Sequence, residues 1–312
     1  MSETLYVTGA NSRYFVMMCP LLMSFRLQSP ETPLYVCDFG LTQAECRFLA
    51  SLGILLPKPP DLPDDLHPYR YKAALHRFAE AKPYDTLVWI DADALITGPF
   101  VEKMEELIAE MEAQKTFIAV GQDSVGTIGD YTGKFQEKVR PFTEMLDQTT
   151  ISPDSPYLNC AVFAVRSPGF LEQWDTMSRH IPTHLTFEQN VFNILAYTLF
   201  DRVSLLDKET WNVHDLDLDE AKLATNLADR PFHVTLRGKE VLVVHATSFK
   251  GRAITARIVE APAGDRMLDG ILKTAKNPDL AQLYEVMLVS WINQHRQQLE
   301  RSGVLEESRP MK

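Results

Sequence analysis

Cysteine is scarce in this chain, and its spacing does not suit zinc. The 312 residues contain four cysteines, Cys19, Cys37, Cys46 and Cys160. They form no C-x-x-C pair and no cysteine–histidine pattern with the spacing of a zinc site. We therefore expect reduced, mostly buried thiols and no structural zinc.

The sequence also lacks long apolar runs and an excess of basic residues. No segment reaches the roughly 20 apolar residues of a membrane-spanning helix, and the chain passes from Met1 directly into Leu5-Tyr6-Val7 without the pattern of a signal peptide. Acidic residues number 42 against 31 basic ones, a formal net charge of -11. We expect a cytoplasmic protein without a transmembrane segment and without a nucleic-acid partner.

A glycine-rich phosphate loop is missing as well. Val7-Thr8-Gly9-Ala10 is similar to the start of a short-chain dehydrogenase fingerprint, but residues 11 to 16, NSRYFV, contain none of the further glycines. No Tyr-x-x-x-Lys pair occurs in the middle of the chain. These absences argue against a dehydrogenase, and the missing glycine-rich basic loop argues against a sugar-nucleotide pyrophosphorylase.

The patterns that are present alternate between strand and helix, which predicts an α/β fold with helices on both faces of a sheet. Apolar residues make up 45% of the chain, enough for one sizeable core. The predicted strands are 5–8, 34–37, 54–56, 86–90, 117–120, 158–165, 203–205 and 241–244. The predicted helices are 14–27, 42–52, 69–81, 100–113, 134–146, 168–179, 187–199 and 279–302.

Two proline-, aspartate- or glycine-containing stretches, 57–68 and 123–133, are predicted to be loops. The last helix is amphipathic, with apolar residues at three- and four-residue steps. We expect it to pack on the sheet or to mediate self-association.

The most informative segment is Trp89 to Leu95, WIDADAL. Asp91 and Asp93 follow the apolar run 86–90, at the carboxyl edge of a sheet, where open α/β folds bind their ligands. Two neighbouring buried carboxylates repel each other unless a cation compensates their charge. The pattern therefore indicates a divalent metal site, and an Asx turn that closes the strand is the alternative.

Further polar residues occur near other predicted strand ends and helix starts. They are Asp38-Phe39-Gly40-Leu41, Lys72, Asn159, Thr186 to Asn190, Trp211-Asn212, His245, Lys250 and Arg252.

The order of these motifs resembles the GT-A glycosyltransferases, in particular the retaining, glycogenin-like and lipopolysaccharide-galactosyltransferase-like enzymes. The resemblance covers roughly residues 4 to 252 and implies a GT-A fold with a mixed, mostly parallel sheet. It implies a catalytic region at 1–252 and a C-terminal helical extension at 253–312. Asp91, Asp93 and His245 match the family's metal ligands, which bind Mn²⁺ or Mg²⁺.

The resemblance also implies roles for other residues. The residues expected to contact the nucleotide sugar are Thr8, Gly9, Ala10, Tyr14, Asp38, Lys72, Asp91, Ala92, Lys250 and Arg252. Asn159 matches the family's asparagine beside the sugar, and Glu188-Gln189 stands where the family has an Asp-Gln pair. After His245 the family has H-x-x-G-x-x-K-P-W, whereas this chain has HATSFKGR, so the basic contact falls on either Lys250 or Arg252.

Several of these residues have a second interpretation. Thr186-x-x-Gln189 is also a capping box, in which Gln189 would serve only the helix backbone. Lys72 could be a solvated lysine, because a helix usually exposes its lysines. His245 could be a strand-end histidine that hydrogen-bonds a main-chain carbonyl.

We expect transfer of a hexose or N-acetylhexosamine from a UDP-sugar to a glycan or other hydroxyl acceptor, with retention. The expected role of the metal is to neutralise the leaving diphosphate while an oxocarbenium-like centre develops. A haloacid-dehalogenase-like phosphatase also has a D-x-D after a strand, but there the motif opens the chain and carries Thr or Val where this chain has Leu95. A non-catalytic glycan-binding protein on the same fold is the third hypothesis.

Overall fold

The computed structural model describes residues 3–199, 203–225, 232–246, 252–258, 266–272 and 275–307. Its strands are β1 Thr4–Ala10, β2 Tyr35–Asp38, β3 Leu55–Leu56, β4 Thr86–Ile90, β5 Ala94–Ile96, β6 Ile118–Thr127, β7 Pro156–Val165, β8 Val203–Leu206, β9 Val213–His214, β10 Lys222–Thr225, β11 Phe232–Leu236, β12 Lys239–Val241, β13 Val243–His245, β14 Arg252–Ile258, β15 Arg266–Leu272 and β16 Glu306–Glu307.

The α-helices within the same described ranges are α1 Phe15–Gln28, α2 Gln43–Ser51, α3 Pro68–Ala73, α4 Leu75–Ala79, α5 Phe100–Gln114, α6 Ile128–Phe135, α7 Arg140–Leu146, α8 Pro168–His180, α9 Phe187–Leu199, α10 Lys208–Trp211, α11 Pro278–Gln294 and α12 Arg296–Ser302. Short 3₁₀ helices occupy Ser12–Tyr14, Gln136–Val139 and Asp215–Asp219.

Seven strands form the main sheet in the order β3-β2-β1-β4-β7-β6-β8. The pairs β2/β3, β1/β4 and β6/β8 are parallel, whereas β7 runs antiparallel to both β4 and β6. Every residue of β4 is buried, as expected for a central strand with both faces covered. The predicted α/β fold with a mixed sheet is confirmed.

The chain divides into two compact units. Unit 1 comprises Met1–Val7, Lys58–Ile90 and Val101–Asn212, and unit 2 comprises Thr8–Pro57, Asp91–Phe100 and Val213–Lys312.

Aromatic rings fill the core of unit 1. Phe192 of α9 packs against Phe163 of β7 and against Phe170 and Trp174 of α8, with ring centroids 4.8 to 5.3 Å apart. The tilted and edge-to-face angles of these rings are the arrangement that aromatic pairs prefer. They fix α8 and α9 against β7.

Helix α1 is the centre of unit 2. Its residues Phe15 to Phe25 are all buried, so nearly the whole circumference of the helix is covered. Phe15 packs edge-to-face on Phe48 of α2, and Phe48 packs edge-to-face on Trp291 of α11. The hydroxyl of Ser24 accepts a hydrogen bond from the Ile96 amide, which fastens β5 to α1. The predicted C-terminal helix therefore packs into this core.

Helix boundaries differ from the predictions at three points. The helix predicted at 69–81 is divided at Ala74, whose backbone leaves the helical region. The helix predicted at 279–302 is divided in the same way at His295. The helix predicted at 134–146 begins only at Arg140, because Gln136 has a positive φ of 41°.

The prediction of a loop at residues 123–133 is wrong. Strand β6 continues to Thr127, and α6 begins directly after it with a capping box between Thr127 and Asp130. The strand predicted at 241–244 belongs to two sheets, because β12 ends at Val241 and β13 starts at Val243.

Within the described part of unit 2 there are also three small sheets, β10-β11-β12, β5-β13-β9 and β14-β15-β16. The region 253–312, predicted to be helical, therefore contains strands as well as α11 and α12. Among the described residues, no helix has both the length and the apolar character needed to cross a bilayer.

Candidate functional site

The three predicted metal ligands lie together in unit 2. Asp91 follows the last residue of β4, Asp93 precedes β5, and His245 is the last residue of β13. Strands β5 and β13 are antiparallel neighbours in which His245 pairs with Ala94, so the histidine lies beside Asp93. Nε2 of His245 is 2.9 Å from Oδ1 of Asp93 and 3.9 Å from Oδ2 of Asp91.

The donor atoms of this cluster suit a divalent cation. One ligand atom from each of Asp91, Asp93 and His245 lies within 4.8 Å of the other two. Asp93 and His245 are buried, whereas Asp91 is half-buried. Two carboxylates and one imidazole are the ligand types that Mn²⁺, Mg²⁺ and related ions accept. A neutral imidazole would supply the nitrogen lone pair.

The turn between the two aspartates is closed by the main chain. The Ala94 amide donates to the Asp91 carbonyl over 3.1 Å.

Tyr284 of α11 adjoins the same segments. Its fully buried hydroxyl donates to the Asp93 carbonyl over 2.8 Å and lies 3.5 Å from the Val244 carbonyl. Burial, together with the negative charge of Asp93, raises the pKa of this phenol well above its usual value. Tyr284 is therefore a protonated donor, and its place in an ordinary amphipathic pattern gave no sign of this contact.

His214 is a further neighbour that sequence reasoning missed. It ends the two-residue strand β9, which runs parallel to β13 and pairs His214 with His245. The centroids of the two imidazole rings are 6.1 Å apart. A two-residue strand has no recognisable sequence pattern, so nothing in the sequence could have placed His214 here.

The predicted nucleotide residues at the start of unit 2 lie on β1 and the segment after it. Thr8 and Ala10 are buried, and Tyr14 is half-buried at the end of its 3₁₀ helix. Gly9 lies directly against the ring of Phe39. Tight packing is thus an additional reason for glycine at this position.

Asp38 organises the turn that follows β2. Its Oδ1 accepts the amides of Gly40 and Leu41 over 2.9 and 2.7 Å, and its Oδ2 lies 3.4 Å from the Cys46 thiol. Burial, with the negative charge of Asp38 as the next cause, raises the pKa of Cys46 to about 12. The thiol is therefore protonated at neutral pH. The cysteines of the described residues are free, as expected.

Lys72 lies on α3 in unit 1 and is only 6% exposed. Its ammonium group is 5.2 Å from the centroid of the Trp89 ring, within cation–π range. The interpretation of Lys72 as a solvated lysine is therefore wrong.

Asn159 lies on β7 in a polar network. Its amide nitrogen donates to Oδ2 of Asp123 over 2.7 Å, and its oxygen accepts from the Ala161 amide and from the side chain of Asn212. In the segment Trp211-Asn212, Asn212 is buried and Trp211 is half-buried. Asp123 was missed because its segment was predicted to be a loop.

Glu188 and Gln189 begin α9 and are both buried. Oε1 of Gln189 accepts the Cys160 amide over 3.1 Å. The hydroxyl of Thr186 contacts the hydroxyl groups of Tyr131 and Tyr157. Thr186 and Gln189 make these contacts in place of the capping box that was the alternative interpretation of this segment. The Glu188 carbonyl accepts the indole N–H of Trp174 over 2.7 Å, which fixes the start of the helix.

Two basic residues after His245 were predicted to contact the phosphates. Lys250 lies outside the described residues, and Arg252 opens β14 with only its backbone described. Ala92, between the two aspartates, is buried.

The fold is similar to that of solved glycosyltransferases. The structure of WbbM, a bifunctional glycosyltransferase, matches with a TM-score of 0.54 and 10% identity over 95% of this chain and 52% of that one. Galactosyltransferase LgtC, solved with donor and acceptor sugar analogues, matches with a TM-score of 0.54 and 12% identity over 95% and 99%. The chain has the GT-A fold.

This GT-A chain spans about half the length of WbbM and nearly all of LgtC. No family model matches the sequence, and no curated protein matches it. Because the sequence identities are only 10% and 12%, these comparisons show a shared fold and nothing further.

Proposed function

We propose that this GT-A protein is a metal-dependent glycosyltransferase. It would move a hexose or N-acetylhexosamine from a UDP-sugar to a glycan or other hydroxyl acceptor, with retention. The observation that carries the proposal is the cluster of Asp91, Asp93 and His245, assembled from segments 152 residues apart. The GT-A fold of the chain supports the same proposal.

The cluster would hold Mn²⁺ or Mg²⁺, and the ion would neutralise the diphosphate as it leaves. Asp91 and Asp93 supply negative charge that attracts the cation, and β13 holds His245 in place through its pairing with β5. The segments that carry Asp93 and His245 are also joined by a hydrogen bond from the Ala246 amide to the Asp93 carbonyl.

We propose that Asn159, Glu188 and Gln189 act on the sugar. The buried carboxylate of Glu188 would stabilise positive charge at the anomeric carbon, since burial strengthens such an interaction. We favour front-face attack of the acceptor hydroxyl without an enzymic nucleophile. Lys72 and one of Lys250 and Arg252 would add positive charge near the phosphates.

Self-association through the C-terminal helix is a further proposal. Val286 and Val289 lie three residues apart on α11 and are 46% and 51% exposed. One turn of apolar surface on this helix supports the idea. Light scattering of the purified protein measures its oligomeric state.

The test is a thermal-shift panel of nucleotides and nucleotide sugars, each with Mn²⁺ and with EDTA. We expect UDP and a UDP-sugar to raise the melting temperature only with Mn²⁺. Asp93→Ala should abolish that shift, because a ligand of the ion is lost. Asp147→Ala, which removes an exposed carboxylate at the end of α7, is the matched control and should keep it.

An unchanged UDP shift in Asp93→Ala would contradict the metal role. Release of UDP and transfer of the sugar in the presence of Mn²⁺ would eliminate a purely glycan-binding protein. Labelling of Asp91 by beryllium fluoride in a protein that binds no nucleotide would instead favour the haloacid-dehalogenase-like phosphatase.

A further inference from the structure

The hydroxyl of Tyr284 lies where the two ligand-bearing segments meet. Its shorter contact, 2.8 Å, is with the carbonyl of Asp93, which is itself a candidate ligand. Its longer contact, 3.5 Å, is with the carbonyl of Val244, which directly precedes His245. One side chain thus touches the main chain beside both Asp93 and His245.

The Asp93 carbonyl has a second donor at this junction. The amide of Ala246, which follows His245, lies 3.4 Å from it. That long contact and the Tyr284 bond converge on one carbonyl oxygen. Because the Tyr284 bond is the shorter, it makes the larger contribution to the position of Asp93.

Helix α11 holds Tyr284 rigidly at this junction. Tyr284 is fully buried, and its neighbours Leu280, Leu283, Met287 and Leu288 are buried on the same face of the helix. Further along, Trp291 packs edge-to-face on Phe48. A hydroxyl held by such packing fixes the main chain that it contacts.

We propose that Tyr284 is a positioning residue for the cation site, through which the C-terminal helix α11 determines how tightly Asp93 and His245 bind a divalent ion. The proposal rests on the proposed metal role of the cluster. The Tyr284 hydroxyl contacts main-chain carbonyls and is not itself among the candidate ligands. It acts on the backbone that carries the ligands.

Energetic coupling follows from this geometry. Outer-shell groups that orient metal ligands typically change affinity by about 10- to 100-fold when they are removed. The Tyr284 hydroxyl contacts a ligand's main chain and not its side chain, so the lower end of that range is expected. Reciprocity requires that a bound ion in turn stabilises α11.

The experiment is a titration of the full chain with Mn²⁺, followed by the EPR signal of free Mn²⁺ and by calorimetry. Tyr284→Phe removes only the hydroxyl and should weaken Mn²⁺ binding about tenfold. Tyr197→Phe is the matched control, since its hydroxyl also donates to a main-chain carbonyl, that of Pro156, over 2.6 Å. It should lose stability similarly in urea and keep the wild-type Mn²⁺ affinity.

Equal Mn²⁺ affinities of wild type and Tyr284→Phe would overturn the proposal. Absence of Mn²⁺ binding by the wild type would instead contradict the metal role itself, so the two failures are distinguishable. Weakening to the same extent in Tyr197→Phe would show a general loss of stability and would also overturn it.

Hydrogen exchange on the wild-type protein gives a second measurement that needs no variant to fold. Addition of Mn²⁺ should slow amide exchange in the peptides covering residues 278–294 as well as in those around Asp93. Protection around Asp93 without any change in 278–294 would show that α11 is not coupled to the site, and would overturn the proposal.

Discussion

Gly9 shows how a single residue can satisfy two different explanations. Its place after the first strand suggests contact with a nucleotide, yet a Cβ atom added there would lie 2.5, 2.6 and 2.9 Å from three atoms of the Phe39 ring. Carbon atoms in favourable contact are about 3.5–4.0 Å apart. The ring is buried, so it has little room to move. A methyl group at position 9 would therefore force the Phe39 ring to shift.

We predict that Gly9→Ala lowers the free energy of unfolding by about 1–3 kcal/mol without any nucleotide present, because the methyl group overpacks the site. Urea denaturation measures this loss. Gly133→Ala is the control: nothing lies within 4 Å of its added Cβ, and α6 should gain about 0.5–1 kcal/mol. Phe39→Leu combined with Gly9→Ala should recover part of the loss. Full stability of Gly9→Ala would show that packing does not explain the glycine.

At the scale of elements, a bulge between β6 and β7 determines what Gln189 and Asn159 do. Val120 pairs with Phe163, but the next residue, Gly121, pairs with Asn159, so three residues of β7 have no partner on β6. Buried amides need acceptors. Gln189 accepts from Cys160, and Asn159 accepts from Ala161. Gln189 and Asn159, which are proposed to act on the sugar, thus also support the main chain of the bulge.

We predict that Gln189→Met destabilises the protein by about 1–3 kcal/mol, because the buried Cys160 amide loses its acceptor while the side-chain volume is kept. Chemical denaturation is the measurement. Gln282→Met, on the exposed face of α11, is the matched control and should stay within about 0.5 kcal/mol of wild type. If both variants are equally stable, the bulge does not depend on Gln189, and an activity loss in Gln189→Met would then report chemistry alone.

At the scale of the whole molecule, histidines whose pKa is lowered in the folded chain make stability depend on pH. Burial is the largest cause that lowers the pKa of His67, His76, His184 and His295. For His295 the pKa falls to about 4, with the positive charge of Arg26 as the second cause. The Arg26 guanidinium lies 3.4 Å from Nε2 of His295, so a proton there would bring two cations together.

The sign follows from proton counts. Between pH 4 and about 6.5 the unfolded chain binds a proton on residue 295 that the folded chain excludes, so stability is complete above pH 6.5 and falls as the pH drops toward 4. We predict that lowering the pH from 7 to 5 costs about 1–2 kcal/mol through His295 alone, since a pKa difference of one corresponds to about 1.4 kcal/mol.

Urea denaturation at several pH values, with EDTA present, measures this dependence. His295→Phe should flatten the slope between pH 5 and 7, because the neutral ring can still pack beside Trp291 and Phe48 without titrating. An identical slope in wild type and variant would mean that His295 does not contribute.

Local sequence determined those parts of the protein whose signal lies within a few residues. The run TLVWI fixed β4 and placed Asp91 at its end, because only a strand covered on both faces is apolar throughout. The capping box of Thr42 and Glu45 likewise located the start of α2. The break at His295 and the course of 123–133 escaped prediction, because they depend on backbone turns and pairings that side-chain periodicity does not record.

The sequence by itself therefore determined the layers of the fold and the strand that Asp91 follows, and the resemblance predicted that His245 lies with Asp91 and Asp93. Only the tertiary structure decided that β5 and β13 pair in the register that brings His245 within 2.9 Å of Asp93. It alone placed Tyr284 at their junction. Two- and three-residue strands carry too little pattern to predict, and their pairing is set by packing between segments far apart in the chain.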